Sequence, residues 1–181
     1  MTIDMTRHGG ATGLPVAEEI DRRGVWRVRT DMQADTDAET GDEKGVTFIE
    51  TEFPYKPSLA EIMAYVTAVK NKQIDASIIG GYVWQGIPVW LSTENQFNYL
   101  MTLLLAKIYE GTGLVEFPII FKLGTDEEPV MHPFQSLQEL ESFCFGAFGY
   151  IQGVLKQGWA DKAAIDWSEY EQALNPQPES V

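Results

Sequence analysis

Tyr82-Val83-Trp84-Gln85-Gly86-Ile87-Pro88-Val89-Trp90-Leu91, followed at once by Ser92-Thr93-Glu94, is the stretch that decides the fold class. Two short apolar runs meet at Gln85-Gly86, which reads as a hairpin turn. Pro88 has no amide to donate to a ladder, so its strand is expected at a sheet edge. Ser92 or Thr93 then supplies an N-cap for a helix. Its expected core-facing side is Phe97, Leu100, Met101, Leu104, Leu105 and Ile108, and Gly111 or Gly113 ends it. A hairpin that runs straight into a helix belongs to an antiparallel sheet, not to a βαβ crossover.

The same alternation extends in both directions. Upstream, Ser58-Leu59-Ala60-Glu61 has the form of a capping box, in which the Ser oxygen takes the N3 amide and the Glu reaches back. It opens a helix with Leu59, Ile62, Met63, Val66 and Val69 on one face, closed by Gly80-Gly81. Downstream, Val115 to Phe121 and Val130 to Phe134 form the arms of a second hairpin around the acidic turn Gly124-Thr125-Asp126-Glu127-Glu128. Ser136-Leu137-Gln138-Glu139 is another capping box. The helix it starts is expected to bury Leu137, Leu140, Phe143, Cys144, Phe148, Ile151 and Leu155. A short helix around Trp167 and Tyr170 follows. The order is helix, hairpin, helix, hairpin, helix. That order predicts an α+β fold: an antiparallel sheet built from hairpins, with about three helices packed on one face.

The first 45 residues read differently. Thr2 to Val16 is rich in Gly, Thr and Pro and has no apolar period. Val25-Trp26-Arg27-Val28-Arg29 and Val46-Thr47-Phe48-Ile49-Glu50 are short strand candidates. Between them, Asp31 to Lys44 (DMQADTDAETGDEK) has almost nothing to bury and reads as a loop or disordered linker. The expected division is therefore an extended or partly disordered acidic N-terminal arm over 1–45, an α+β domain over 46–170, and a frayed tail over 171–181. An arm so poor in apolar side chains is expected to be held by a partner.

Composition narrows the function classes. The 181 residues are 44% hydrophobic, and 27 acidic side chains against 13 basic ones give a formal charge of -14. A field of that sign repels phosphate backbones, so nucleic acid is not expected as a partner. The basic cluster Arg22, Arg23, Arg27 and Arg29 is flanked by acidic residues. No signal-peptide pattern is present at the start, and Tyr99 to Ile108 is too short an apolar run to span a bilayer, so no membrane association is expected. One cysteine, Cys144, allows no intrachain disulfide. It sits on an apolar helical stripe and is expected to behave as a small hydrophobe.

Candidate chemistry is thin, and no catalytic, cofactor or metal residue is expected. His8 and His132 are the two histidines, one in the arm and one beside Pro133 at a strand end, where a structural role is ordinary. Asp35-Thr36-Asp37-Ala38-Glu39-Thr40-Gly41 has carboxylates at alternate positions. An EF-hand loop needs Gly at its sixth position and Glu at its twelfth. Here Gly41 is seventh and Val46 twelfth, so a solvated acidic linker is the better account. Gly9-Gly10-Ala11-Thr12-Gly13 follows no strand candidate and lacks the GK[ST] of a phosphate loop. The aromatic hairpin with Tyr82, Trp84 and Trp90 is the distinctive surface candidate, although such rings more often lie in a core. The expected partner contacts are Trp26, Val28, Phe48 and Ile49 in the arm, with Trp84, Ile87 and Trp90 on the hairpin.

From YVWQGIPVWLSTENQFNYL onward the chain also resembles a known type of phage protein. The matching motifs are the glycine-turn hairpin and helix join from Gly86 to Gln96, Val130 to Leu140 with its helix through Leu155, and the closing Ala164-Ile165-Asp166-Trp167-Ser168. They are similar to a small domain of unknown function encoded beside tail-fibre and tail-assembly genes in bacteriophages and prophages, including phages of gut Bacteroidales. The resemblance covers roughly residues 58 to 170 and leaves the arm outside. It implies a virion structural or tail-associated protein that binds other phage structural or tail proteins, with self-association as a further expectation. It implies no enzyme and no catalytic residues. The expected location is the virion, or the host cytoplasm during assembly. Two alternatives stand beside it: a transient tail-fibre assembly chaperone, and a carbohydrate-binding module using the aromatic hairpin with Glu94 or Asp126.

Overall fold

The computed structural model describes residues 3–21 and 24–176. The fold is α+β, with antiparallel strand pairing throughout the described residues. It divides into two compact units, residues 1–70 with 162–181 and residues 71–161. The division falls inside one helix and near the end of another.

In unit 1, β1 (Arg7–Gly10), β2 (Ala17–Glu19), β3 (Trp26–Thr36) and β4 (Glu43–Phe53) form one sheet in the order β1-β4-β3-β2. The N-terminal 45 residues therefore supply three of its four strands, where the sequence suggested an extended arm. Asp31 to Lys44 is also more ordered than its composition indicates. It continues β3, turns at Asp37–Asp42 and begins β4. The Asp37 carboxylate accepts the Glu39 amide at 2.7 Å and the Thr40 amide at 3.1 Å within that turn. Ladder hydrogen bonds join backbone to backbone, so a polar hairpin forms without an apolar face once its base is anchored.

The anchor is the alternation at the base. Trp26 pairs with Phe53, Val28 with Thr51 and Thr30 with Ile49 on one face of the sheet. Against this face pack Ile62, Tyr65, Val66 and Val69 of α1 (Leu59–Gly80) and Tyr170 and Leu174 of α4 (Trp167–Leu174). α1 starts as the sequence suggests, and α4 starts at Trp167 behind an Asp166 cap that the sequence reading did not name. The Ser58 amide donates to Glu61 Oε2 at 2.8 Å and the Glu61 amide to Ser58 Oγ at 3.3 Å, while the Ser168 amide donates to Asp166 at 2.9 Å. Residues 171–174, assigned above to a frayed tail, finish α4 and bury Leu174. Residues 177–181 of that tail lie outside the described residues.

The other face of the sheet is charged, and within it Arg29 and Phe48 are buried. Arg27 pairs in register with Glu52, and Arg29 with Glu50. Arg29 is only 3% exposed. Its guanidinium donates to Glu18 and to the Pro15 carbonyl, lies 3.4 Å from Glu50, and sits 5.2 Å above the Phe48 ring. The Gly-Thr-Pro segment between β1 and β2 lies along this face. Leu14 and Phe48 come so close to Gly10 that a side chain there would meet both. At a register shift after Thr30, Asp31 adopts φ 55° and its carboxylate accepts from Lys70 Nζ at 2.6 Å.

Unit 2 holds two hairpins and most of two helices. These are β5 (Tyr82–Trp84) with β6 (Ile87–Val89), α2 (Thr93–Ile108), β7 (Ile119–Gly124) with β8 (Pro129–Phe134), and α3 (Leu137–Ala163) as far as residue 161. The first turn has the expected residues, with Gln85 at φ 49° and Gly86 at φ 84°, the signs a two-residue hairpin turn requires. Phe121, Phe134, Phe143 and Tyr99 form a contiguous ring cluster with centroids 4.8–6.0 Å apart. The last ten residues of α1 pack onto α3 at Gly158, where a β-carbon would overlap Ile74.

Two outcomes follow from unit 1. Removing residues 1–45 takes away three strands, so circular dichroism of the truncated chain is expected to show loss of strand signal and of the α4 docking. A truncated chain with intact strand content and one cooperative melt would contradict this. Arg29→Ala removes a 3%-exposed guanidinium from Glu18, Glu50 and the Pro15 carbonyl and is expected to cost about 1–3 kcal/mol in urea unfolding, against less than about 1 kcal/mol for the more exposed Arg27→Ala.

Candidate functional site

The residues expected to contact a partner fall into three groups. Trp26, Val28 and Ile49 belong to the core of unit 1, and Phe48 is equally buried on the charged face under Arg29. None of these four presents a surface. They read as arm contacts because their strands looked isolated, and the sheet that buries them depends on pairings 20 to 40 residues apart. Trp84 and Ile87 are half-buried against the core of unit 2, with Trp84 edge-on to Phe143 at 5.6 Å. Trp90 alone is a surface residue, 57% exposed.

Trp90 lines a cleft of about 450 Å³ with Gly80, Pro88, Asn95, Lys122, Asp126 and Glu127. Asn95 Nδ2 donates to the Trp90 carbonyl at 2.8 Å, which fixes the hairpin to the start of α2. Lys122 Nζ lies 3.2 Å from Asp126 across the β7–β8 turn. Asp126, named above with the carbohydrate alternative, is thus brought beside the tryptophan. Glu94, named with it, is exposed and does not line the cleft. In unit 1 a second cleft, of about 630 Å³, is lined by Glu18, Glu19, Trp26 and Leu174 among others, and Lys56 Nζ stands 5.4 Å over the Trp26 ring there.

A larger feature lies on α2, and the sequence pointed to the wrong side of it. The buried residues of this helix are Tyr99, Leu103 and Ala106. Phe97, Leu100, Leu104, Leu105 and Ile108, expected in the core, are 43–62% exposed. With a turn of 3.6 residues, Phe97, Met101, Leu104 and Ile108 stand opposite the buried side. The helix has two apolar faces, and the core has room for one. The ring cluster takes the narrower face because Tyr99 can set its ring against Phe121 and Phe143.

α3 continues this surface. Lys107 of α2 reaches Glu141 of α3 at 2.6 Å and lies 5.8 Å from the Phe145 ring. Phe145 and Phe148, three residues apart on one side of α3, are each 61% exposed. Phe148, like the α2 residues, was expected to be buried. The buried positions of α3 are Leu140, Phe143, Ala147 and Gly158.

The two histidines and Cys144 make local packing and polar contacts. His132 Nε2 is 3.4 Å from Glu139 and its ring meets Phe134 at 4.6 Å. Glu139 also accepts the Gln135 amide at 2.8 Å, so this cap reaches one residue further back than the sequence motif implies. His8 stacks on Phe48 at 6.3 Å. Cys144 lies 3.7 Å from the Tyr99 carbonyl, and burial pushes its thiol up to about 11. Among the described residues, no group of three His, Cys, Asp or Glu side chains is placed to hold a metal ion, and no helix is long and apolar enough to cross a membrane.

No protein-family model matches this chain, and no curated protein and no solved structure aligns with it significantly.

With its pKa raised, Cys144 stays protonated at neutral pH, and alkylation by iodoacetamide at pH 7 is expected to be much slower in the native chain than in urea. Equal rates in the two states, read by intact-mass spectrometry, would show a thiol open to solvent.

Proposed function

We propose that this chain acts by protein–protein binding, without catalysis, as a structural or tail-associated component of a bacteriophage virion. The observation that carries the binding role is the set of exposed apolar side chains on α2 and on the Phe145–Phe148 side of α3, with the Lys107–Glu141 pair between them. Seven large side chains there are 43–62% exposed: Phe97, Leu100, Leu104, Leu105, Ile108, Phe145 and Phe148. Soluble monomers rarely leave contiguous apolar patches of this kind uncovered, because covering them is favourable by about 25 cal/mol for each Å². The virion context comes from the resemblance of residues 58–170 to phage tail-region proteins. The remainder of the surface carries the acidic excess that keeps an assembly component in solution before it docks.

Two other readings have an observation in their favour. A transient tail-fibre assembly chaperone would use the same apolar surface to shield a client. A carbohydrate-binding role would use the cleft where exposed Trp90 adjoins Asp126, Glu127 and Asn95, since a ring face and planar polar groups together suit a sugar.

Peptide mass spectrometry of gradient-purified particles, with the infected-cell lysate as control, separates these readings. The chain is expected in particles at a fixed ratio to other virion proteins. Detection in the lysate alone would favour the chaperone, and absence from both would remove the phage context. Saturable binding on a glycan array, lost in Trp90→Ala, would favour the carbohydrate role.

A further inference from the structure

The apolar surface that carries the binding role also has a pattern that says what fits it. Phe97, Met101, Leu104 and Ile108 follow one another at spacings of four, three and four residues, the spacing of a helix–helix seam. Leu100 and Leu105 flank the seam on either side, where soluble coiled coils usually carry charges. The seam is therefore broad, apolar and straight over three turns. Its natural complement is a second helix with the same spacing, and α2 itself is such a helix.

Area and charge select the same occupant. Ring side chains offer about 150–250 Å² each and aliphatic ones somewhat less, so the seven exposed residues present on the order of 700 Å², near the roughly 800 Å² per partner of a stable interface. A single typical monomer patch is smaller. The charged groups at the seam are Lys107, which Glu141 pairs at 2.6 Å, and exposed Glu94 at its N-terminal end, three residues before Phe97. In a chain of formal charge -14, the stretch from Phe97 to Ile108 carries no acidic side chain and is a place where two copies can approach with little opposition of like charges.

We propose that α2 and the adjoining Phe145–Phe148 face of α3 form an isologous interface with a second copy of this chain, with α2 packed antiparallel on its counterpart across a two-fold axis. Antiparallel packing in this register puts Met101 opposite the partner copy's Leu104 on each side of the axis and brings Phe97 opposite the partner copy's Ile108. The assembly unit is then a dimer. This inference rests on the reading of the α2–α3 surface as a binding surface and names its occupant.

The test is sedimentation equilibrium of the full-length chain, alone, at low and moderate salt. The expected mass is that of two 20.3 kDa chains. Association is expected to tighten as salt screens the two acidic protomers. Leu104→Glu, which places an unpaired carboxylate at the axis, is expected to weaken association by at least about a hundredfold with unchanged far-ultraviolet circular dichroism. Leu104 is already half-exposed in the single chain, so the substitution does not touch the core. Hydrogen exchange of the wild-type chain gives a readout free of mutation: amides of 97–108 and 141–148 are expected to gain protection with concentration.

A wild-type chain that remains monomeric at its highest soluble concentration overturns the proposal. So does a dimer that persists in Leu104→Glu with protection elsewhere. The binding role fails separately. A monomeric wild-type chain that enters phage particles, and whose Leu104→Glu variant does not, would refute the dimer and leave the protein-binding role standing with a foreign occupant.

Discussion

Unit 1 depends on the alternation of β3 and β4 between two chemically opposite faces. Trp26, Val28 and Ile49 turn to α1 and α4, and burying each such side chain is favourable by about 1.5–3 kcal/mol. Arg27, Arg29, Glu50 and Glu52 turn the other way. A slip of one residue would exchange the faces, putting two guanidinium groups into the apolar core and Trp26 among carboxylates. The register is therefore held from both sides at once. The Tyr170 hydroxyl, which donates to the Arg29 carbonyl at 2.9 Å, ties α4 to the same strand. Without β3, neither helix of this unit has a surface to cover.

Unit 2 rests on aromatic packing instead. Phe143 touches Tyr82, Trp84, Tyr99, Phe121 and Phe134 at centroid distances of 5.0–6.2 Å, so one ring on α3 joins both hairpins and α2. That arrangement also sets the external chemistry. Because the rings claim the Tyr99–Leu103–Ala106 side of α2, the richer apolar side is left outward. The exposed apolar surface is thus a consequence of how the core is filled.

Local signals were legible along much of the chain. The Gln85-Gly86 turn, the Ser58 and Ser92 caps, and the order of helices and hairpins from residue 58 all depend on neighbours within a few positions, and each is visible in the residues themselves. The division at residue 45 was not legible. β1 and β2 are short and rich in glycine or charge, and they exist as strands because β4 and β3 lie beside them. The expected contact residues failed for the same reason. Trp26, Val28, Phe48 and Ile49 looked available while their partners 20 to 140 residues away were unseen.

The sequence by itself determined the α+β class, the positions of turns and caps, and the periodicity of every long helix, since those follow from short-range sterics and hydrogen bonding. It also determined that α2 has apolar residues on more than one side. Tertiary structure alone decided which side faces inward. Period and hydrophobicity are properties of one helix, whereas burial is a property of the space that other elements leave for it, and Tyr99, with Phe121 and Phe143 around it, fits that space where Phe97 and Leu104 do not.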